Sequence, residues 1–209
     1  MYTYIGLSLL GIAALLASPF GVLDASSDGK FYGLSTMIVY DANGQETMRS
    51  IIHNQVTNQG EEYLLDQVFQ ESGNLAAADT AQIGSICIAE GTISEAETTT
   101  ASTFDSANTI VLTSVANCIE ADVNVGGNDG TAVIGPLTFQ DDVHLVTGDA
   151  VNGIGICSAN AGTTPYDNCA AGAASNGVLF AVIDTNDVTI NAGESVQITY
   201  TFDISSATT

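Results

Sequence analysis

Two hydrophobic patterns divide the chain. From Ile5 to Leu23, apolar and small side chains follow one another with no charged residue among them; from Phe31 onward, short alternating segments are separated by Gly, Asn, Asp and Thr. In the second part the clearest period-two stretch is "SVQITYTFDIS". Val196, Ile198, Tyr200, Phe202 and Ile204 alternate there with Gln197, Thr199, Thr201 and Asp203, which predicts an antiparallel strand with one face in a core. Near the start, Met37 to Tyr40 run into Asp41-Ala42-Asn43-Gly44, a tight-turn signal, and Met48, Ser50 and Ile52 mark the returning strand of a hairpin. Further strands are expected at 82–90, 109–116, 131–139, 142–147, 152–157, 177–184 and 187–191. The period changes once, in "NQGEEYLLDQVFQESG". Leu64, Leu65, Val68 and Phe69 share a helical face, Asn58 and Glu61 fit a capping box, and Gly73 supplies a stop. This is read as the only helix of the domain.

Many short strands with turns between them predict a mainly β fold. The expected architecture is an antiparallel β-sandwich of jelly-roll or immunoglobulin-like type, with one short helix and an N-terminal hydrophobic helix. The domain plan is a hydrophobic segment at 1–25, a linker at 26–31 and the sandwich at 32–209.

The hydrophobic segment has two readings. As a helix, about 20 apolar residues rise about 30 Å, enough to cross a bilayer. As a secretory signal it lacks a basic n-region and a clean small-x-small cleavage triplet, and Pro19 follows the best candidate, Ala17-Ser18. The expectation is that it stays and drives assembly through Ile5, Leu9, Leu10, Ile12, Leu15 and Leu16, with membrane contact through residues 2–23. Under both readings the chain crosses a membrane.

Charge changes the picture next. The 209 residues hold 24 acids against 2 bases, for a net charge of −22, and the two bases are Lys30 and Arg49. A chain with so few cations cannot neutralise phosphates, so nucleic acid is excluded as a partner. Anionic headgroups would repel the sandwich as well. Copies packed together would repel one another unless salt screens them, and at seawater-like ionic strength the Debye length falls to a few Å. These features predict an extracellular or cell-surface protein from a saline habitat.

Four cysteines, Cys87, Cys118, Cys157 and Cys169, are an even number in an exported chain and predict two disulfides, with three pairings open. Cys157 and Cys169 bracket a Gly/Thr/Pro-containing loop that a bridge can staple, while Cys87 and Cys118 sit in apolar runs and can join two strands. Zinc is the rival reading, but no C-x2-C or His spacing supports it. "SEAETTTASTFDS" reads as a mobile, low-complexity loop or an O-glycosylated one.

Catalytic chemistry is hard to find. His53 and His144 stand in no metal-ligand spacing and beside no nucleophile motif, and no G-x-S-x-G, H-E-x-x-H or phosphate-cradling glycine loop is present. "GIGICSANAG" is glycine-rich but leads into no helix. The chain is therefore read as a non-enzyme. One stretch, "ADVNVGGNDG", sets Asp122, Asn124, Asn128 and Asp129 around two glycines, with Glu120 just before. Ca²⁺ wants six to eight oxygens from a tightly curled loop, so these residues are the candidate site, and a polar hairpin tip is the alternative.

Together "VYDANGQ", "IIHNQVTNQGEEYLLDQVF", "IGSICIAEG" and "INAGESVQITYTFDI" resemble a β-sandwich style of two settings. One is the subunits of archaeal extracellular filaments, pilins among them, and the other is virion and prophage structural proteins. The residues that carry the resemblance are Asn54, Thr57, Asn58 and Gly60 in the turn, and Gly193 to Tyr200 in the closing strand. Unlike type IV pilins, the chain has no Lys/Arg-Gly processing site before its apolar run. The resemblance implies a self-assembling structural subunit whose partners are copies of itself. A virion coat protein and a membrane-anchored adhesin or cation-binding surface module are the alternatives.

Overall fold

The computed structural model describes residues 32–69, 82–107, 118–126, 130–158, 169 and 177–204. The leader, with Ile5, Leu9, Leu10, Ile12, Leu15 and Leu16, lies outside them, as do the strand expected at 109–116 and the helix stop at Gly73. No helix among the described residues is long and apolar enough to cross a membrane.

Among the described residues the fold is mainly β, with nine strands pairing antiparallel in two sheets. The strands are β1 (Tyr32–Tyr40), β2 (Glu46–Val56), β3 (Ile83–Ala89), β4 (Cys118–Glu120), β5 (Val123–Val125), β6 (Thr131–Gln140), β7 (Ala150–Ser158), β8 (Leu179–Thr189) and β9 (Ser195–Asp203). Among the described residues two helices join them, α1 (Asn58–Phe69) and α2 (Ala101–Ser106). Strand order is β4-β3-β7-β8-β2-β1-β9-β6-β5. β2 belongs to both sheets: it pairs with β1 along most of its length and with β8 through Gln55 and Val56 at its end. The opposite sides are joined too, because β4 on one outer edge and β5 on the other are separated only by Ala121 and Asp122.

Alternation decides what lies between the sheets. Met37, Val39, Ile134, Phe139, Val196, Ile198 and Tyr200 project from the first sheet, and Ile86, Ile88, Ile154, Ile156, Ala181 and Ile183 from the second, into one core. The hairpin that starts the first sheet is held by Asp41, whose carboxylate accepts from the Asn43 and Gln45 amides at 2.8 Å each, with Gly44 at φ 76° in the turn. Side chains of this kind mimic a backbone turn, which is why Asp-x-Asn-Gly is so strong a signal.

The second sheet is buried on both faces. β3 reads "IGSICIA" because Ile86 and Ile88 face the first sheet while Cys87 and Ala89 face a further layer made from residues 91–107. That layer is closed by the Gly91 amide donating to the Ala107 carbonyl at 2.7 Å, and α2 within it is capped by Thr100, whose side chain accepts from the Thr103 amide. Ala101 and Phe104 are its buried residues. β7 has glycine where the layer comes closest: a Cβ at Gly155 would stand 2.8 Å from the Phe104 ring, and one at Gly153 would stand 2.2 Å from Ile93. Alternate glycines on a strand are what such close approach requires.

Several expectations change. The stretch expected as a low-complexity loop is an ordered cover carrying a second helix, because Phe104 and Ile93 give it apolar anchors. The strand expected at 142–147 is a turn, closed by the Asp142 amide on the Leu145 carbonyl at 2.9 Å. The strands expected at 177–184 and 187–191 are one strand, β8, irregular at Asn186 and Asp187, which both have positive φ. The cap of α1 is Thr57 rather than Asn58: its hydroxyl accepts from the Gly60 amide at 3.1 Å, and its carbonyl accepts from the Glu61 amide at 2.9 Å. Leu65, expected on the buried face, is 57% exposed, and Tyr63 is buried instead.

Thr57 also ties α1 to the sheet, since its buried hydroxyl donates to the Leu179 carbonyl. Thr57→Ala should therefore cost about 1–2 kcal/mol in chemical denaturation, the value of a lost cap and a buried hydrogen bond. Thr57→Ser should recover most of it.

Candidate functional site

Two places on the described surface and interior combine chemistry with geometry. The first is a cleft between the sheets, beside α1. Tyr63, Leu64, Ile83, Val123, Ala132, Ile134, Phe180, Tyr200 and Phe202 line a cavity of about 170 Å³ that is open on one side. The strand registers explain its lining. Val123, Ile134 and Tyr200 are direct partners across β5, β6 and β9, and Val125, Ala132 and Phe202 form the next row on the same face. Phe180 meets Phe202 edge-on at 5.0 Å between ring centroids.

Polar groups sit at the borders of the cleft. The Tyr63 hydroxyl reaches the Ile83 backbone, and burial raises its pKa. The Tyr200 hydroxyl is directed to the Asn54 side chain, and its pKa is pushed well above the ordinary tyrosine value by burial. The described chain begins and ends at this end of the sandwich, for Tyr32 pairs with Asp203 next to Phe202. Val125 and Ile204 continue the apolar row outward and are 69% and 54% exposed. The lining is apolar apart from the Tyr63 and Tyr200 hydroxyls at its borders.

The second place is a sulfur cluster on the outer face of the second sheet. Cys87 bonds to Cys118 and Cys157 to Cys169, with Cα separations of 3.9 and 5.5 Å. Cys87 and Cys118 are direct partners across β3 and β4, and the Cys169 amide is held by the Asp105 carboxylate at 2.7 Å. All four cysteines are buried beside Phe104, Ala101 and Leu179. The sulfurs of Cys87, Cys157 and Cys169 lie within 4.8 Å of one another. Spacing of this order also suits thiolate metal ligands, but sulfurs joined as disulfides are not thiolates, the form that ligates.

The remaining sequence candidates that the structure describes lie elsewhere. Glu120, Asp122 and Asn124 are exposed on the extended β4–β5 segment, while Asn128 and Asp129 lie outside the described residues. Of the four proposed Ca²⁺ ligands, then, only Asp122 and Asn124 fall within the described residues. His53 is exposed on β2. His144 packs edge-on against Phe139 and its Nδ1 accepts from the Gln140 amide at 3.1 Å; burial lowers its pKa. Asp141 is structural, its carboxylate accepting from the Gly193 amide and the Thr147 hydroxyl at 2.8 Å each. Asp149 differs from these: burial first, and then the neighbouring Glu90 carboxylate, raise its pKa.

Sequence reasoning missed the cleft and the meeting of the two bridges. Long-range register brings their residues together, and single-chain periodicity carries no trace of that. The glycines at 153 and 155 were the available signal for the covering layer. Compared with protein-family models, curated proteins and solved structures, the chain matches none.

Two tests follow from this geometry. Ala132→Phe should fill the cleft, abolishing the fluorescence of a bound apolar dye while leaving the melting temperature unchanged or raised. Asp149→Asn should raise the melting temperature at neutral pH. A raised carboxyl pKa means that the folded state binds the proton more tightly, so the wild type loses relative stability as pH rises through the folded value. The difference between the two proteins should vanish below the ordinary Asp pKa of about 3.9 and shrink in high salt.

Proposed function

We propose that the chain is a structural subunit of an extracellular filament or surface appendage, assembling with copies of itself and carrying out no catalysis. The observation that carries the reading is the open apolar cleft at the end of the sandwich where the described chain begins, in a protein that cannot associate through ion pairs. Of its two bases, Arg49 is already held by Glu46 at 2.7 Å. Attraction between copies must then come from apolar surface, which contributes about 25 cal/mol per Å² removed from water. The uncharged run at 5–23 supplies such surface. Paired cysteines support an oxidising, extracellular setting.

The crossed strand order, with β9 between β1 and β6 and β7 between β3 and β8, supports the jelly-roll form of the sandwich over a simple meander. In this reading the N-terminal segment is a retained helix, and salt screens the acidic heads from one another.

Negative-stain microscopy and sizing of the full chain beside residues 26–209 test the proposal. The full chain should form filaments at high salt, and the shorter one should be a monomer with the same melting temperature. Closed shells in place of filaments would favour the virion reading. A monomeric full chain in detergent-free buffer would overturn self-assembly altogether.

A further inference from the structure

The two disulfides are not independent staples. Cys87 belongs to one bridge, Cys157 and Cys169 to the other, and their three sulfurs lie within 4.8 Å of one another. Cys118 lies outside that group, bonded to Cys87 from β4. Register fixes the arrangement: Cys87 is opposite Gly155 and Ser85 is opposite Cys157, so Cys87 and Cys157 project from adjacent strands on the same face. Gly155, lying between these positions, puts no side chain in the way. Phe104 and Ala101 close the chamber from outside.

We infer that this cluster is an internal thiol–disulfide exchange site with Cys87 as the shared sulfur. Exchange needs a thiolate within reach of a disulfide sulfur, and the chamber supplies that without unfolding. When the chain holds one bridge and two thiols, a Cys87–Cys157 bridge is resolved by the Cys169 thiolate. It attacks the Cys157 sulfur, the Cys157–Cys169 bond forms, the Cys87–Cys157 bond breaks, and the electron pair leaves on the Cys87 sulfur. No oxidant is consumed in that step. Cys87 is then free to pair with Cys118 when an external disulfide, such as that of a dithiol oxidoreductase, removes the last two electrons. Cys118, outside the group of three, is placed to receive or release Cys87. A chain that acquires its bridges outside the cell can thus correct a misplaced one inside the folded sandwich. Because apolar burial raises a thiol's pKa, exchange should quicken as pH rises.

The test uses Cys118→Ser in the full chain, which leaves one bridge and one thiol in the chamber. After equilibration at alkaline pH, acid quenching, denaturation and alkylation with an acid-tolerant maleimide, peptide mapping locates the thiol. The label should be found on Cys87 and also on Cys157 or Cys169, in amounts within about tenfold of each other, since exchange swaps one cysteine disulfide for another. In Cys87→Ser the label should stay on Cys118 alone. Label confined to Cys87 in the first variant, or equal scrambling in both, would overturn the inference. Should either variant fail to fold, partial reduction of the wild-type chain with a phosphine gives the same answer. One-bridge molecules should carry thiols on Cys118 together with Cys157 or Cys169, a pair that neither native bridge releases. Recovery of only the Cys87/Cys118 and Cys157/Cys169 thiol pairs would equally overturn it.

Discussion

A sheet with two apolar faces needs two covers, and this requirement governs the molecule. The second sheet presents Ile86, Ile88, Ile154 and Ile156 to its partner sheet and Cys87, Ala89, Cys157 and Val182 to the other side. A two-layer sandwich satisfies only the first set. Residues 91–107 supply the second cover, and nearly everything unusual nearby serves to hold them in place. Glycine at 153 and 155 lets Ile93 and Phe104 approach, Gln59 receives the Ala101 amide at 3.0 Å, and the Glu97 carbonyl receives the Asn58 amide at 2.8 Å. With so few cations, such backbone and amide hydrogen bonds do the work that ion pairs share elsewhere.

The two sheets therefore differ in character. The first is an ordinary half-exposed sheet, with Gln197, Thr199 and Thr201 on its outer side, and its alternation is easy to read in the sequence. Its hairpin, its closing strand and its inward set Met37, Val39, Val196, Ile198 and Tyr200 all follow from period two. The second sheet gives continuous apolar runs such as "GSICIA" and "LFAVI", in which alternation cannot separate core-facing from cover-facing positions. Period-two reasoning finds that these are strands but not that a third layer exists.

The cover itself was illegible for a related reason. "SEAETTTASTFDS" is polar apart from a few side chains, and its order comes from single anchors, Phe104 above all, meeting a surface composed elsewhere in the chain. A helix of six residues has little intrinsic stability and forms because tertiary packing holds it. The cap of α1 shows the same thing on a smaller scale. Both Thr57 and Asn58 are good capping residues, and the choice fell to Thr57 because its hydroxyl can also meet the Leu179 carbonyl. The cleft was invisible because its walls come from α1 and five strands.

The passage from β4 to β5 has one more consequence. Open sheet edges are templates on which a neighbouring chain can add a strand, and natural proteins shorten or blunt them. Here each outer strand is three residues long, and the pair is one continuous segment bent from one sheet to the other at Ala121 and Asp122. Beyond its pairing with β5, β6 carries Pro136, which has no amide hydrogen to offer. A neighbouring chain thus finds little backbone to zip onto at these two edges, whereas β2, which meets β8 only through Gln55 and Val56, leaves the rest of that side open to an added strand.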